Sequence, residues 1–156
     1  SAKPPDEIVA RCVQIKAEVV AADDLDTGKR HILNFGHTVG HAIELATDHA
    51  TPHGHAVAIG MVVEARLAAH AGWLPKVVVE QLEHLLTTLG LPTEAPCSFA
   101  DAAPGFERDK KTTAGTIFCA LPTGLGQTEA QGDGPGGWSR ATSLDQIDKA
   151  WEAQGG

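Results

Sequence analysis

Five of the eight histidines fall between positions 37 and 55. His37 and His41 are four residues apart. On a helix their rings share one face, where they can bind one metal or two parts of one ligand. Such a pair alone is common on surfaces and in cores. His53 changes the weighing, because it comes from the next segment and sits beside Gly54, where the backbone allows close approach. Two imidazoles from separate segments plus one carboxylate make a common open zinc site. Lys16, Arg30, Lys110 and Lys111 offer cations for an anionic substrate. Spacing alone does not name the reaction.

These residues need elements to hold them. Pro4-Pro5-Asp6-Glu7 is a helix start, with proline and acids in the first turn, and predicts a helix to about Ala21. Ile8, Val9, Cys12, Val13, Ile15, Val19 and Val20 form its apolar arc. Lys16 falls within that arc and reads either as a side chain snorkelling to water or as a cation aimed into a ligand site. Asn34 is a candidate cap for a helix to about Ala46, with His37, His41 and Glu44 on its polar side. Gly36 and Gly40 are poor helix formers and point to the close approach of another backbone or a ligand.

The stretch from about His55 to Ala71 is apolar nearly all round at its start and predicts a central helix that Gly72 ends. Pro75 opens an amphipathic helix with Val78, Leu82, Leu85, Leu86 and Leu89 inward, stopped by Gly90 and Pro92. Residues 92–104 read as irregular. Residues 116–121 read as a strand, paired with 127–130 through the turn between them. The glycine-rich run 131–137 is expected to be mobile. Ser143-Leu144-Asp145-Gln146 resembles a capping box for a last helix carrying Ile147, Ala150 and Trp151. The fold class expected is mainly α, a multi-helix domain with a minor β-hairpin.

The chain has 156 residues, a length that gives no reason to propose more than a single domain over 1–156. A net charge of -8 argues against a nucleic-acid role but leaves room for a small anionic substrate held by a few convergent cations. Cys12, Cys97 and Cys119 are odd in number and lack metal spacing, as expected for reduced thiols in the cytoplasm. No apolar run approaches the roughly 18 residues of a membrane span, and no signal-peptide pattern is present. The first residue is Ser, which points to a processing or cloning boundary.

The run from Arg11 through Lys16, Asp23, Asp24, Gly28 and Arg30 to Asn34-Phe35-Gly36-His37-Thr38-Val39-Gly40-His41-Ala42-Ile43-Glu44 closely resembles the 3-dehydroquinate synthase family of sugar phosphate cyclases. His53-Gly54-His55 through Met61 continues the match, and Asp109-Lys110-Lys111, Gly115, Leu121-Pro122 and Gly126 resemble later family segments. The resemblance spans about residues 8–130. It implies an N-terminal NAD-binding domain, not found in this chain, and a C-terminal helical domain that carries most metal and substrate contacts.

The resemblance further implies zinc, or another divalent metal such as cobalt, held by His37, His53 and a glutamate from upstream of Ser1. It implies substrate binding by Lys16, Arg30, Asn34, His41, Lys110 and, less closely matched, Lys111, with His41 near the substrate phosphate and assisting its elimination. Lys16, Arg30 and His41 are then the catalytic set. Glu44 shares a face with His37 and is either a substitute ligand or a group beside the ligands or in solvent. The implied reaction oxidises a hydroxyl with NAD, expels phosphate from the acidified neighbour, reduces the ketone again and closes a ring by an aldol step.

The residues also depart from the family pattern. Asp26 stands where glutamate is frequent, and His55 stands where many members have glutamate; His55 is read as a polar helix-start residue and not as a ligand. The 156 residues alone are expected to be inactive. A secondary-metabolism cyclase of the amino-dehydroquinate or valiolone type and a non-catalytic binding domain stay open as rivals, whereas Lys16, Arg30 and Asn34 argue against an iron-type alcohol dehydrogenase. A helix face left uncovered by a missing domain would promote self-association, so a homodimer is possible.

Overall fold

The helix that reads as apolar all round becomes the centre of the molecule. In the computed structural model, which describes residues 5–25, 28–108, 116–128 and 132–153, this helix, α3, spans His53–His70. It packs against α2 (His37–Ala46), α4 (Lys76–Thr88) and α6 (Leu144–Glu152). Ala56, Ile59, Val62, Val63 and Ala65 of α3 are fully buried, as expected of a helix with no polar face. Gly72, at φ +77, follows its end. Arg66 ties α3 to α4 through two hydrogen bonds to Glu83.

The N-terminal helix α1 (Pro5–Ala22) forms as its proline and acids predict, but most of its apolar arc is not buried. Val19 is buried, while Ile8, Val9, Val13 and Ile15 are exposed. A short 3-10 helix, Lys29–Asn34, packs on α1 and leads to α2. Asn34 is therefore not the cap expected of it. The chain breaks at Gly36, which caps α2 in the left-handed conformation at φ +81.

Two further expectations are corrected. A helix, α5 (Phe99–Arg108), begins within the later part of the stretch read as irregular and carries Pro104 inside it. Its start is fixed by Ser98 and Asp101: the Asp101 N–H donates to the Ser98 hydroxyl and the Ser98 N–H donates to the Asp101 carboxylate. The strand β1 (Ile117–Cys119) pairs antiparallel with β2 (Arg140–Thr142), in the register Ile117 to Thr142 and Cys119 to Arg140. Of the partner expected at 127–130, Gln127 bridges to Gly124 instead, and residues 129–130 lie outside the described residues. Residues 123–127 close instead into a tight loop, in which the Thr123 N–H donates to the Gln127 carbonyl and the Gln127 N–H to the Gly124 carbonyl.

Of residues 131–137, expected to be mobile, 132–137 are drawn into this arrangement, and Gln131 lies outside the described residues. The Gly132 N–H donates to the Gly137 carbonyl, the Gly134 N–H to the Ser139 carbonyl, and the Asp133 carboxylate accepts the Ala141 N–H. The expected capping box forms at α6: the Gln146 N–H donates to the Ser143 hydroxyl and the Ser143 N–H to the Gln146 side chain. Ile147, Ala150 and Trp151 are buried. Among the described residues, no helix is long and apolar enough to cross a membrane.

Candidate metal centre

The helices α2 and α3 lie antiparallel and in unusually close contact. A Cβ on Gly60 would stand 2.0 Å from the Gly36 carbonyl oxygen, and one on Gly40 would stand 3.2 Å from the Ala56 backbone. The two glycines singled out in α2 are thus places where the α3 backbone arrives. This contact brings the first turn of α3 beside the last turns of α2. The connection between them turns through two left-handed residues, Asp48 at φ 49 and His49 at φ 59. The His49 N–H donates to the Glu44 carbonyl at 2.7 Å, and the Thr47 hydroxyl donates to the Ile43 carbonyl. Asp and His are among the residues that tolerate this conformation best.

The result is a cluster of three imidazoles. The His37 and His53 ring centroids are 5.4 Å apart, His37 and His41 5.6 Å, and His41 and His53 6.0 Å. His37 is the first residue of α2 and His53 the first of α3. Two of the rings are anchored. His37 Nδ1 lies 3.3 Å from the Phe35 carbonyl oxygen. His53 Nδ1 lies 3.1 and 3.2 Å from the two oxygens of Glu44. Each partner is an acceptor, which favours a proton on Nδ1 of each ring. His41, exposed on the next turn, has no such anchor among the described residues. Donor atoms of His41, Glu44 and His53 lie within 4.8 Å of one another, in a group that does not include His37. Imidazole and carboxylate donors together suit a divalent cation of borderline softness.

Behind these rings is a buried carboxylate. Glu64, fully buried in α3, accepts the Gly36 N–H at 2.7 Å and the Val39 N–H at 3.2 Å. These are unpaired donors at the N-terminus of α2, and the helix dipole favours a negative charge there.

A family model described as 3-dehydroquinate synthase C-terminal matches residues 2–112. The chain belongs to the 3-dehydroquinate synthase C-terminal family. It is 42% identical over 127 residues to a 3-dehydroquinate synthase of Desulforamulus reducens, covering 80% of this chain and 35% of that protein. The chain therefore spans about a third of that relative's length. Among solved structures, a 2-deoxy-scyllo-inosose synthase complexed with carbaglucose-6-phosphate, NAD+ and Co2+ superposes with a TM-score of 0.80 at 23% identity, over 93% of this chain and 39% of the other. The valiolone synthase ValA of Streptomyces hygroscopicus, with NAD+ and Zn2+ bound, does so with a TM-score of 0.75 at 22% identity, over 94% of this chain and 39% of the other. At these identities the likeness establishes the fold.

The residues that the 3-dehydroquinate synthase resemblance singles out are unevenly gathered. His37, His41 and His53 come together, with Glu44 against His53. Lys16 is exposed on α1. Arg30 lies on the 3-10 helix, where its guanidinium donates to the Asp24 carbonyl at 3.4 Å. Its loop is shaped by Asp23, whose carboxylate accepts the N–H groups of Gly28 and Arg30 at 2.7 and 3.0 Å. Asn34 ends the same 3-10 helix, half-buried. None of Lys16, Arg30 and Asn34 is hydrogen-bonded to the imidazoles among the described residues. Lys110, Lys111, Asp109, Gly115 and Asp26 lie outside the described residues. His55 is exposed at the start of α3, next to the helix-start position expected for it.

Sequence reasoning passed over Glu64. The signal was present: one acid inside an otherwise apolar, all-round buried helix has to find charged or hydrogen-bonding partners.

Proposed function

We propose that this chain is the metal- and substrate-binding part of a 3-dehydroquinate synthase, a phosphate-eliminating lyase of the shikimate pathway. In this reading the enzyme converts a seven-carbon phosphorylated keto acid (DAHP) to 3-dehydroquinate and phosphate. The observation that carries it is the pair His37 and His53, with rings 5.4 Å apart and both Nδ1 atoms engaged. In this reading both rings bind one divalent cation, zinc or cobalt, through Nε2. The 42% identity to the Desulforamulus reducens enzyme supports the choice of 3-dehydroquinate synthase. The metals and NAD+ bound by the two structural neighbours support the cofactors.

When bound, the cation polarises substrate oxygens and NAD exchanges a hydride with the substrate. The chain's own residues bind and orient the substrate. Lys16, Arg30, Asn34, Lys110 and Lys111 hold carboxylate and phosphate, which fixes the reacting carbons. His41 shares the α2 face with His37, and no hydrogen bond holds its ring among the described residues; in this reading it moves a proton beside the departing phosphate.

The test replaces the matching segment of the Desulforamulus reducens protein with this chain and measures phosphate release. Release from the keto acid, lost in His37→Ala and His53→Ala, is the expected result. Release only from a sugar phosphate without a carboxylate would overturn the substrate in favour of a secondary-metabolism cyclase. Unchanged zinc affinity in both histidine variants would overturn the metal centre.

A further inference from the structure

We infer that Glu44 is a positioning residue for the metal centre: its carboxylate fixes the proton of His53 on Nδ1 and turns Nε2 toward the cation. The inference rests on the reading that His53 is a metal ligand. His53 stands at the first position of α3 with a side chain 56% exposed. A ring so placed would rotate and exchange tautomers in water. Glu44 opposes this. Its side chain is only 15% exposed, so the carboxylate is held in the wall between α2 and α3.

Both carboxylate oxygens stand at nearly equal distance from His53 Nδ1, at 3.1 and 3.2 Å. The carboxylate thus addresses the Nδ1 edge of the ring, and Nε2 points the other way. An ionised carboxylate only accepts, which places the proton on Nδ1. Glu44 also lies close enough to His41 and His53 to be a ligand itself. Both carboxylate oxygens are engaged with the Nδ1 edge of the ring, which favours the positioning role. His37 is held in the same manner by the Phe35 carbonyl, so both ligand rings present Nε2. An acceptor that orients a ligand imidazole also strengthens its grip on a cation.

Two measurements on this chain test the inference. The first is zinc affinity, read by competition with a chromophoric chelator, for the unaltered chain, Glu44→Gln, Glu44→Ala and His53→Ala. Glu44→Ala should weaken zinc binding about 10- to 100-fold, Glu44→Gln less, and His53→Ala more than either. The second is the nitrogen NMR spectrum of the His53 ring without metal. It should report the Nδ1–H tautomer in the unaltered chain and a tautomer mixture in Glu44→Ala.

A zinc affinity unchanged in both Glu44 variants, with the tautomer also unchanged, would overturn the inference. So would a loss in Glu44→Ala as large as in His53→Ala, which would make the carboxylate a ligand. Should Glu44→Ala fail to fold by circular dichroism, Glu44→Gln carries both readouts. Failure of the metal reading is distinguishable: His37→Ala and His53→Ala would then leave zinc affinity unchanged, while the metal-free tautomer still reports on Glu44.

Discussion

Glu64 accepts the Gly36 N–H at 2.7 Å across a separation of 28 residues, and this bond sets where α2 begins. Its other oxygen takes the Val39 N–H, so the first turn of α2, with His37 in it, is pinned to the middle of α3. Removing the carboxylate in Glu64→Ala would leave these donors unpaired in a fully buried place. A loss of about 3 kcal/mol in urea unfolding is expected, since each stranded group costs roughly 1–3 kcal/mol. Glu64→Gln should cost less, because an amide oxygen still accepts. A Glu64→Ala chain as stable as the original would contradict this account.

The α2–α3 contact also makes Gly60 intolerant of any side chain. A Cβ there meets the Gly36 carbonyl oxygen at 2.0 Å and the Gly40 nitrogen at 2.9 Å, both backbone atoms that cannot turn aside. Alanine is ordinarily favoured over glycine in a helix by about 1 kcal/mol. Gly60→Ala should nevertheless destabilise, by about 1–3 kcal/mol for overpacking. It should also weaken zinc binding, because separating the helices moves His37 from His53. Ala69→Gly, in the same helix but away from this contact, serves as the comparison and should not change zinc affinity.

Much of this arrangement was legible in short stretches of sequence. The unbroken apolar face predicted the burial of α3, the Ser143–Gln146 spacing predicted the capping box, and Gly36 with Gly40 predicted a close approach. Each of these signals is local. Part of what was missed depends on partners far along the chain. Asn34 was a reasonable cap until Glu64 supplied a better one from α3. The nearest turn suggests a partner for β1 at 127–130, yet the partner comes from Arg140–Thr142, beyond a glycine-rich stretch whose hydrogen bonds no periodicity reveals. Pro104 hid α5, although Ser98 and Asp101 carried its start signal. The Glu44–His53 contact depends on left-handed turns at Asp48 and His49, neither of them a glycine that would have announced them.

The start of α5 gives a pH dependence with a definite sign. Hydrogen bonds from the Ser98 hydroxyl and the Ser98 N–H hold the Asp101 carboxyl below its ordinary value. A lowered folded-state pKa contributes stability above the unfolded value, and the contribution is lost as pH falls through the folded value. Ser98→Ala removes the hydroxyl and should raise the Asp101 pKa, as read by carbon NMR titration. The stability gap between Ser98→Ala and the original chain should accordingly be wider at pH 7 than near pH 3. An equal gap at both pH values would mean that the charge of Asp101 does not contribute.

The apolar arc of α1 remains in water. Val9 and Val13 are 61% and 63% exposed, one helical turn apart, with Ile8 and Ile15 beside them at 49% and 42%. Contiguous apolar surface of this kind drives association. The chain should therefore self-associate with rising concentration in sedimentation or sizing experiments. Val9→Gln with Val13→Gln should shift it toward monomer. Because neither valine is buried, the double variant should unfold within about 0.5 kcal/mol of the original. Association that persists unchanged in the double variant would place the contact surface elsewhere. A large loss of stability would mean that the arc packs within the chain, and α1 would then have to lie against the body of the molecule rather than stand out from it.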